Sequence, residues 1–246
     1  MSEGAWFRRW FGKEYLELYP HRDEEEAERA VALLLDRVSW EPSWQVLDLA
    51  CGAGRHLAAL RSRGLRAVGL DLSWHLLHQS RTGTDSLPVV RGDMRFPPFA
   101  DGGFQLVTSF FTSFGYFEAE ADDRRVLREV RRMLRPGGYF LLDFLNASQV
   151  VEGLKGQDVR SLGGREVVQD RALIEGGRYV EKRIRITDPK TGAERSFLER
   201  VRLYRPEELE GLFKASGLEV EARFGDYGGG TLEVGSPRCI LLGRAA

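Results

Sequence analysis

Three aspartates, one within a short apolar run and two at the ends of such runs, and one turn of small residues are the parts of this 246-residue chain that can do chemistry. Asp48 sits in Gln45-Val46-Leu47-Asp48-Leu49, directly ahead of Ala50-Cys51-Gly52-Ala53-Gly54. Asp71 ends Arg66-Ala67-Val68-Gly69-Leu70-Asp71 and is followed by Leu72; Asp93 follows Pro88-Val89-Val90-Arg91-Gly92 and precedes Met94. The small side chains at 50, 52, 53 and 54 let a ligand reach the main chain, and glycine tolerates positive φ. N–H groups opening the next helix then point at whatever sits there. A carboxylate at Asp71 can accept both hydroxyls of a ribose. Asp93 with Met94 suits an adenine amino group and an apolar ring face.

These groups act together only if strand ends bring them to one crevice. The run 45–49, the turn, and an amphipathic segment from Arg55 read as strand, tight turn and helix. Asp71 then falls at the distance expected of one βαβ unit. Open α/β sheets bind ligands where such strand ends face a common crevice.

VLDLACGAGRH, GLDLS, GDMRF and LRPGGYFLLDF, in this order and spacing, resemble the class I S-adenosylmethionine-dependent methyltransferases over roughly residues 40–145. The resemblance implies a Rossmann-like α/β fold, with a seven-stranded, mostly parallel sheet and helices on both faces. It places Asp48, Ala50, Cys51, Gly52 and Gly54 near the methionine end of S-adenosylmethionine, Asp71 and Leu72 at the ribose, and Asp93 and Met94 at the adenine. Ala50 stands where the family most often has a glycine. The segment Phe110–Tyr116 is implied beside the transferable methyl, with Phe110 on the cofactor and Phe111 and Thr112 on the acceptor. With SFFTSFGYF and an inserted sheet before the last helix, the chain looks most like the N,N-dimethyltransferases of nucleotide-linked amino sugars.

An amine acceptor needs a group to take or release its proton. Tyr15, His21, Tyr116 and Asp143 are the candidates, with Tyr19, Arg22, Asn146 and Tyr227 as further acceptor-side groups. His56, on the first helical turn, reads as structural. In-line methyl transfer requires no obligatory catalytic side chain, because orientation alone is worth ~7–11 kcal/mol. The dinucleotide fingerprint of a nicotinamide dehydrogenase needs a small residue where Leu57 stands. Ser109-Phe110-Phe111-Thr112 differs from the Asn/Asp-Pro-Pro-Tyr/Phe turn of adenine and glutamine amino-methylating enzymes. His, Cys and acid spacings match no metal-ligand pattern, so no metal is expected.

Net charge is −1, so no global field recruits nucleic acid or anionic membrane. Arginines of the 122–134 helix read as a solvated face, interspersed as they are with acids; a tRNA acceptor is the alternative reading, and a non-catalytic S-adenosylmethionine-binding regulator another. Two distant cysteines, Cys51 and Cys239, form no disulfide framework, which with no apolar run of ~20 residues and no signal-peptide core suggests a cytoplasmic setting. Oligomeric state is left open.

Along the chain, residues 1–22 form an aromatic-rich lid segment whose removal is expected to spare the fold and impair turnover. Residues 23–150 and 205–246 make the core domain, opened by a helix that Asp23 caps. Residues 151–204 form an inserted antiparallel sheet of three strands after 165, with hairpin signals at Gly176-Gly177 and 188–192. The last strand is expected to enter the main sheet antiparallel.

Overall fold

The computed structural model describes residues 6–19, 24–80 and 86–246; the cap assigned to Asp23 lies outside them. Two short helices open the described chain, α1 (Phe7–Trp10) and α2 (Lys13–Leu18), followed by α3 (Glu24–Leu35). The alternating part is β1 (Gln45–Leu49), α4 (Arg55–Ser62), β2 (Arg66–Asp71), α5 (Trp74–Ser80), β3 (Val89–Arg91), β4 (Phe104–Ser109), α6 (Glu120–Met133) and β5 (Leu134–Leu145). After α7 (Ala147–Glu152) come β6 (Gln157–Leu162), β7 (Arg165–Ile174), β8 (Tyr179–Thr187) and β9 (Glu194–Arg202). The chain returns through α8 (Pro206–Ala215), β10 (Leu218–Phe224) and β11 (Arg238–Ala245).

The main sheet has seven strands in the order β10-β11-β5-β4-β1-β2-β3. β11 runs antiparallel to both neighbours, and the other neighbouring pairs are parallel. Strand side chains alternate between two apolar layers, as a period of two demands. Val46, Ile240 and Leu242 face the α3–α4 layer; Leu47, Cys239 and Leu241 face the α6–α8 layer. In α6, Val126, Leu127, Val130 and Met133 turn inward, while Glu120, Asp122 and Asp123 in the first turn and Arg131 and Arg132 in the last complement the helix dipole. The Pro136-Gly137-Gly138 break falls inside β5, where the register against β4 shifts and Gly137 has φ 73°.

The second sheet has four antiparallel strands, β6-β7-β8-β9, one more than the alternation suggests. β6 is an edge strand without a buried residue, so it carries no apolar periodicity. Gly163 and Gly164, at φ 57° and 78°, close its hairpin with β7, the two-glycine signal of a tight turn.

The aromatic N-terminal segment packs against the second sheet. Trp6, Trp10 and Leu18 form an apolar cluster with Val167, Ile184 and Ile186 of the second sheet, and Trp10 is 1% exposed. Trp10 Nε1 donates to Glu199 at 2.5 Å, and Lys182, paired with Glu199, donates to Tyr19 OH at 2.6 Å. Removing the segment would bare the sheet face it covers, which revises the expectation that truncation spares the fold.

Candidate active site

The C-terminal ends of β1, β2 and β4 converge on one crevice. The turn after β1 winds through left-handed backbone at Ala50 (φ 61°), Gly52 (φ 57°) and Gly54 (φ 90°). A Cβ at Gly54 would meet Leu87 Cδ1 at 2.6 Å, and one at Gly69 would meet Cys51 Sγ at 2.5 Å. Gly69 therefore lets β2 approach the turn, and Gly54, at positive φ, lets the turn approach Leu87 and Ser80. Asp71 ties the turn in place: Gly52 N donates to its Oδ2 at 2.9 Å and Ser73 N to its Oδ1 at 2.7 Å. Each oxygen keeps acceptor capacity. Burial raises this carboxyl above its ordinary range.

Two adjoining cavities share Phe11, Ala50, Asp71 and Tyr116. One, of about 380 Å³, runs from Asp71 and Leu72 to Asp93 and Met94 under Phe7, Arg8 and Phe11 of the N-terminal segment. The other, of about 200 Å³, is lined by Cys51, Gly52, His56, Phe110, Phe111 and Tyr15 among others. Gly54 shapes the turn but lines neither. Asp93 faces the first cavity with its carboxylate already held by Arg95, through Nε at 3.0 Å and Nη2 at 2.8 Å. Burial opposes its charge, but these bonds prevail and hold it below the usual carboxylate range.

Asp48 lies at 2% exposure. Its Oδ1 accepts from Thr108 Oγ1 at 3.1 Å, while Oδ2 has no partner. Burial, with Asp71 adding repulsion, pushes its carboxyl up to about 7. Asp48 itself lines none of the cavities; the pinned Asp71 and the apolar Met94 fit a nucleoside, and the Asp48 oxygen without a partner among the described residues suits a nearby cation.

A third cavity, of about 460 Å³, meets the second at Phe11, Tyr15, Phe111 and Tyr116. Its far wall carries Lys155, Asp158, Arg171, Lys182 and Glu199, with Thr112 near the strand ends. Phe111 and Thr112 both adopt left-handed backbone, at φ 58° and 62°, a genuine outlier for a β-branched threonine.

Tyr15 and Tyr116, of the residues assigned to proton handling, stand where these cavities meet. Asp143 does not. It is fully buried and accepts from Phe111 N at 2.8 Å, Tyr227 OH at 2.6 Å and Arg238 Nε at 2.7 Å. It lines none of the three cavities and is a structural anchor, not a base. Tyr227 is committed to it, with its phenol raised above the ordinary range by burial, then by Asp143. Asn146 caps α7 and donates to the carbonyls of Glu233, Val234 and Ser236. It borders a cavity of about 920 Å³ beside α7 and α8 that contains none of the three crevice aspartates. Tyr19 forms wall: its OH donates to Glu199 and accepts from Lys182. His21 and Arg22 lie outside the described residues.

Arg238, Lys182 and Glu199 are missing from the sequence reading. Asp143 inside the apolar run Phe140–Phe144 signals a buried cation partner, and Arg238, heading the apolar run 239–242, is its match. Lys182 and Glu199 lie on strands whose alternation is visible, but only the cross-strand register pairs them.

A cationic ligand tail at Asp48 would favour its ionised form and release a proton. Affinity for such a ligand is therefore lost as pH falls through about 7. The expected result is about tenfold weaker binding at pH 6 than at pH 8, with proton release seen as a buffer-dependent calorimetric enthalpy; Asp48→Asn should flatten the profile. Equal affinity across that range would remove Asp48 from the ligand.

Residues 46–138 match a family model described as a methyltransferase domain. A dTDP-3-amino-3,4,6-trideoxy-alpha-D-glucopyranose N,N-dimethyltransferase of Streptomyces venezuelae is 29% identical over 78% of this chain and 82% of its own length. A dTDP-4-amino-2,3,4,6-tetradeoxy-D-glucose N,N-dimethyltransferase of Saccharopolyspora spinosa is 26% identical over 85% of each. Further curated relatives are matched over 33% to 53% of their own length. The structure of the CcbJ methyltransferase from Streptomyces caelestis covers 96% of this chain and 98% of its own, with a TM-score of 0.80 at 19% identity, a likeness of fold.

Proposed function

We propose that this chain, an S-adenosylmethionine-dependent methyltransferase with its domain match over residues 46–138, methylates the amine nitrogen of a small-molecule acceptor of the nucleotide-linked amino-sugar class. The observation that carries this reading is the third cavity, whose wall of both charge signs meets the cofactor side at Tyr15 and Tyr116. Two relatives matched over most of their length are named as N,N-dimethyltransferases of dTDP-amino sugars. When bound, S-adenosylmethionine supplies an electrophilic methyl carbon on a sulfonium. Asp71 holds the ribose, Asp93 and Met94 border the adenine, and the 50–54 turn with Asp48 takes the amino-acid end. Phe110, Phe111 and Thr112 shape the boundary between cofactor and acceptor.

Phe11, Tyr15 and Tyr116 ring the junction through which the acceptor nitrogen would approach the cofactor side. The two phenols are the polar groups in reach of its proton. On the far wall Arg171 is paired with Asp158 and Lys182 with Glu199, so the wall carries a net single positive charge, at Lys155, toward a phosphorylated acceptor. The reading divides the chain into a lid at 1–22, a core at 23–150 and 205–246, and an acceptor-facing insertion at 151–204. A cytoplasmic setting is part of it, supported by two buried free thiols, Cys51 and Cys239; among the described residues no helix is long and apolar enough to cross a membrane.

Four of the five α6 arginines favour a small acceptor over RNA, because they are engaged within the chain. Arg124 pairs with Glu120, Arg132 with Asp101 and Glu129, and Arg131 and Arg125 donate to carbonyls. The test is methyl transfer to amino-sugar nucleotides, small amines and bulk tRNA, read by mass spectrometry. One or two methyl increments on an amino-sugar nucleotide are expected. Transfer to tRNA alone would overturn the acceptor assignment.

A further inference from the structure

We propose that Asp123 and Tyr204 are positioning residues for methyl transfer: their buried hydrogen bond sets where the turn carrying Tyr116 lies against the end of the inserted sheet. The proposal rests on the methyltransferase reading of the crevice. Asp123 stands in the first turn of α6 and Tyr204 follows β9; they are 0% and 1% exposed. Tyr204 OH donates to Asp123 Oδ2 at 2.7 Å. Arg202, the last residue of β9, pairs with Glu120 of α6 at 2.7 Å, and its guanidinium sits 4.4 Å from the Tyr204 ring centroid. Helix and inserted sheet are thus joined by two polar contacts of defined direction.

The turn before α6 is clamped at the same point. Gly115 O accepts from Arg202 N at 2.8 Å, and Gly115 holds left-handed backbone at φ 76°. A Cβ there would meet Arg202 O at 3.3 Å and the Phe144 ring at 3.5 Å. Phe114 packs on Tyr204 and Phe144, with ring centroids 5.8 and 6.4 Å away. Tyr116, next to Gly115, lines all three cavities that meet at the crevice. Glu199 and Val201, on the strand that ends at Arg202, line the acceptor cavity. One cluster therefore sets both the group at the junction and the acceptor wall. Neither Asp123 nor Tyr204 lines any of these cavities, so their influence on turnover passes through Tyr116 and β9. Burial pushes the Asp123 carboxyl up to about 7, against the Tyr204 hydrogen bond and the Arg202 charge. Apolar side chains of similar volume hold elements together without that cost; what the hydrogen bond adds is direction.

An apolar pair, Asp123→Leu with Tyr204→Phe, separates positioning from folding, and urea denaturation should find it about as stable as the unsubstituted protein. With dTDP-3-amino-3,4,6-trideoxy-alpha-D-glucopyranose as acceptor, its kcat should fall about tenfold or more, the result of a small misplacement at a reacting centre. Its Kd for S-adenosylhomocysteine should stay within about twofold, because the cradle around Asp71 is untouched. Asp123→Asn, whose amide oxygen still accepts from Tyr204 OH, should keep kcat within about threefold. A crystal structure of the apolar pair should show Tyr116 displaced by about 0.5 Å or more from its place against Trp6 and Phe11, whose ring centroids are 4.9 and 5.8 Å away. Should the pair fold poorly, Tyr204→Phe alone, which loses a single hydroxyl, carries the same expectations. Recovery of kcat together with stability, or Tyr116 unmoved in the variant, would overturn the proposal. If the unsubstituted protein does not methylate this acceptor, the acceptor reading falls, and the place of Tyr116 in the variant structure still decides this proposal.

Discussion

Replacing Asp143 by alanine is expected to cost about 3–5 kcal/mol of folding stability, the usual consequence of removing one partner from a buried ion pair. Asp143 is completely buried, and Arg238, its partner at 2.7 Å, has a side chain only 17% exposed. The substitution also leaves Phe111 N and Tyr227 OH without an acceptor. The consequence reaches the site, because this anchor holds the left-handed pair at Phe111 and Thr112. Thr112 N donates to Asp143 O at 2.9 Å, and Arg238 Nη2 donates to Thr112 Oγ1 at 3.1 Å. Such backbone costs of order 1–3 kcal/mol per residue and persists only when its surroundings over-determine it. An apolar pair, Asp143→Leu with Arg238→Met, should regain much of the stability without regaining turnover, since the turn loses its donors and acceptors. Urea denaturation checks the first part and a transfer assay the second. A loss below about 1 kcal/mol for the alanine variant would show that the pair is not the anchor described.

Asp71→Ala should weaken cofactor binding by about 1.5–3 kcal/mol, the range for hydrogen bonds to a charged group. The carboxylate is held from behind by Gly52 N and Ser73 N, so it reaches a ribose without reorganising. Because those same bonds shape the 50–54 turn, affinity loss alone would not isolate the ribose contact. A double-mutant cycle with the 2′-deoxy form of S-adenosylhomocysteine does so: the ligand change should matter much less in the alanine variant than in the unsubstituted protein. Full additivity in calorimetry would remove Asp71 from the ribose. Measurable binding of NAD in place of the sulfur nucleosides would remove the cofactor assignment itself.

The parallel half of the fold was legible because its strands are buried on both faces and its helices carry an apolar face with a clear period. Val46 to Leu49 and Ala67 to Leu70 announce themselves as apolar runs, and their separation gives the crossover that places Asp48 and Asp71 together. Glycines at 52 and 54 announce the turn. What was hidden depends on contacts distant in sequence. Asp143 looked like an available carboxylate until the antiparallel return of β11 brought Arg238 beside it, 95 residues later. Tyr227 and Asn146 carry polar groups that suit an acceptor, yet both are spent on the chain itself. α1 and α2, of four and six residues, are too short to show a helical period. Their aromatic residues make sense only against the apolar face of β7, β8 and β9. β6, a polar edge strand, offered nothing to a reading based on hydrophobic alternation beyond the Gly163-Gly164 pair that follows it.

A crystal structure of the complex with S-adenosylhomocysteine tests the assignment of this crevice most directly. The expected result places both ribose hydroxyls within hydrogen-bond distance of the Asp71 carboxylate, the base between Asp93 and Met94, and the amino-acid tail in the cavity that His56 lines. Density for the nucleoside elsewhere, as in the cavity between α7 and α8, or a ribose without contact to Asp71, would contradict it.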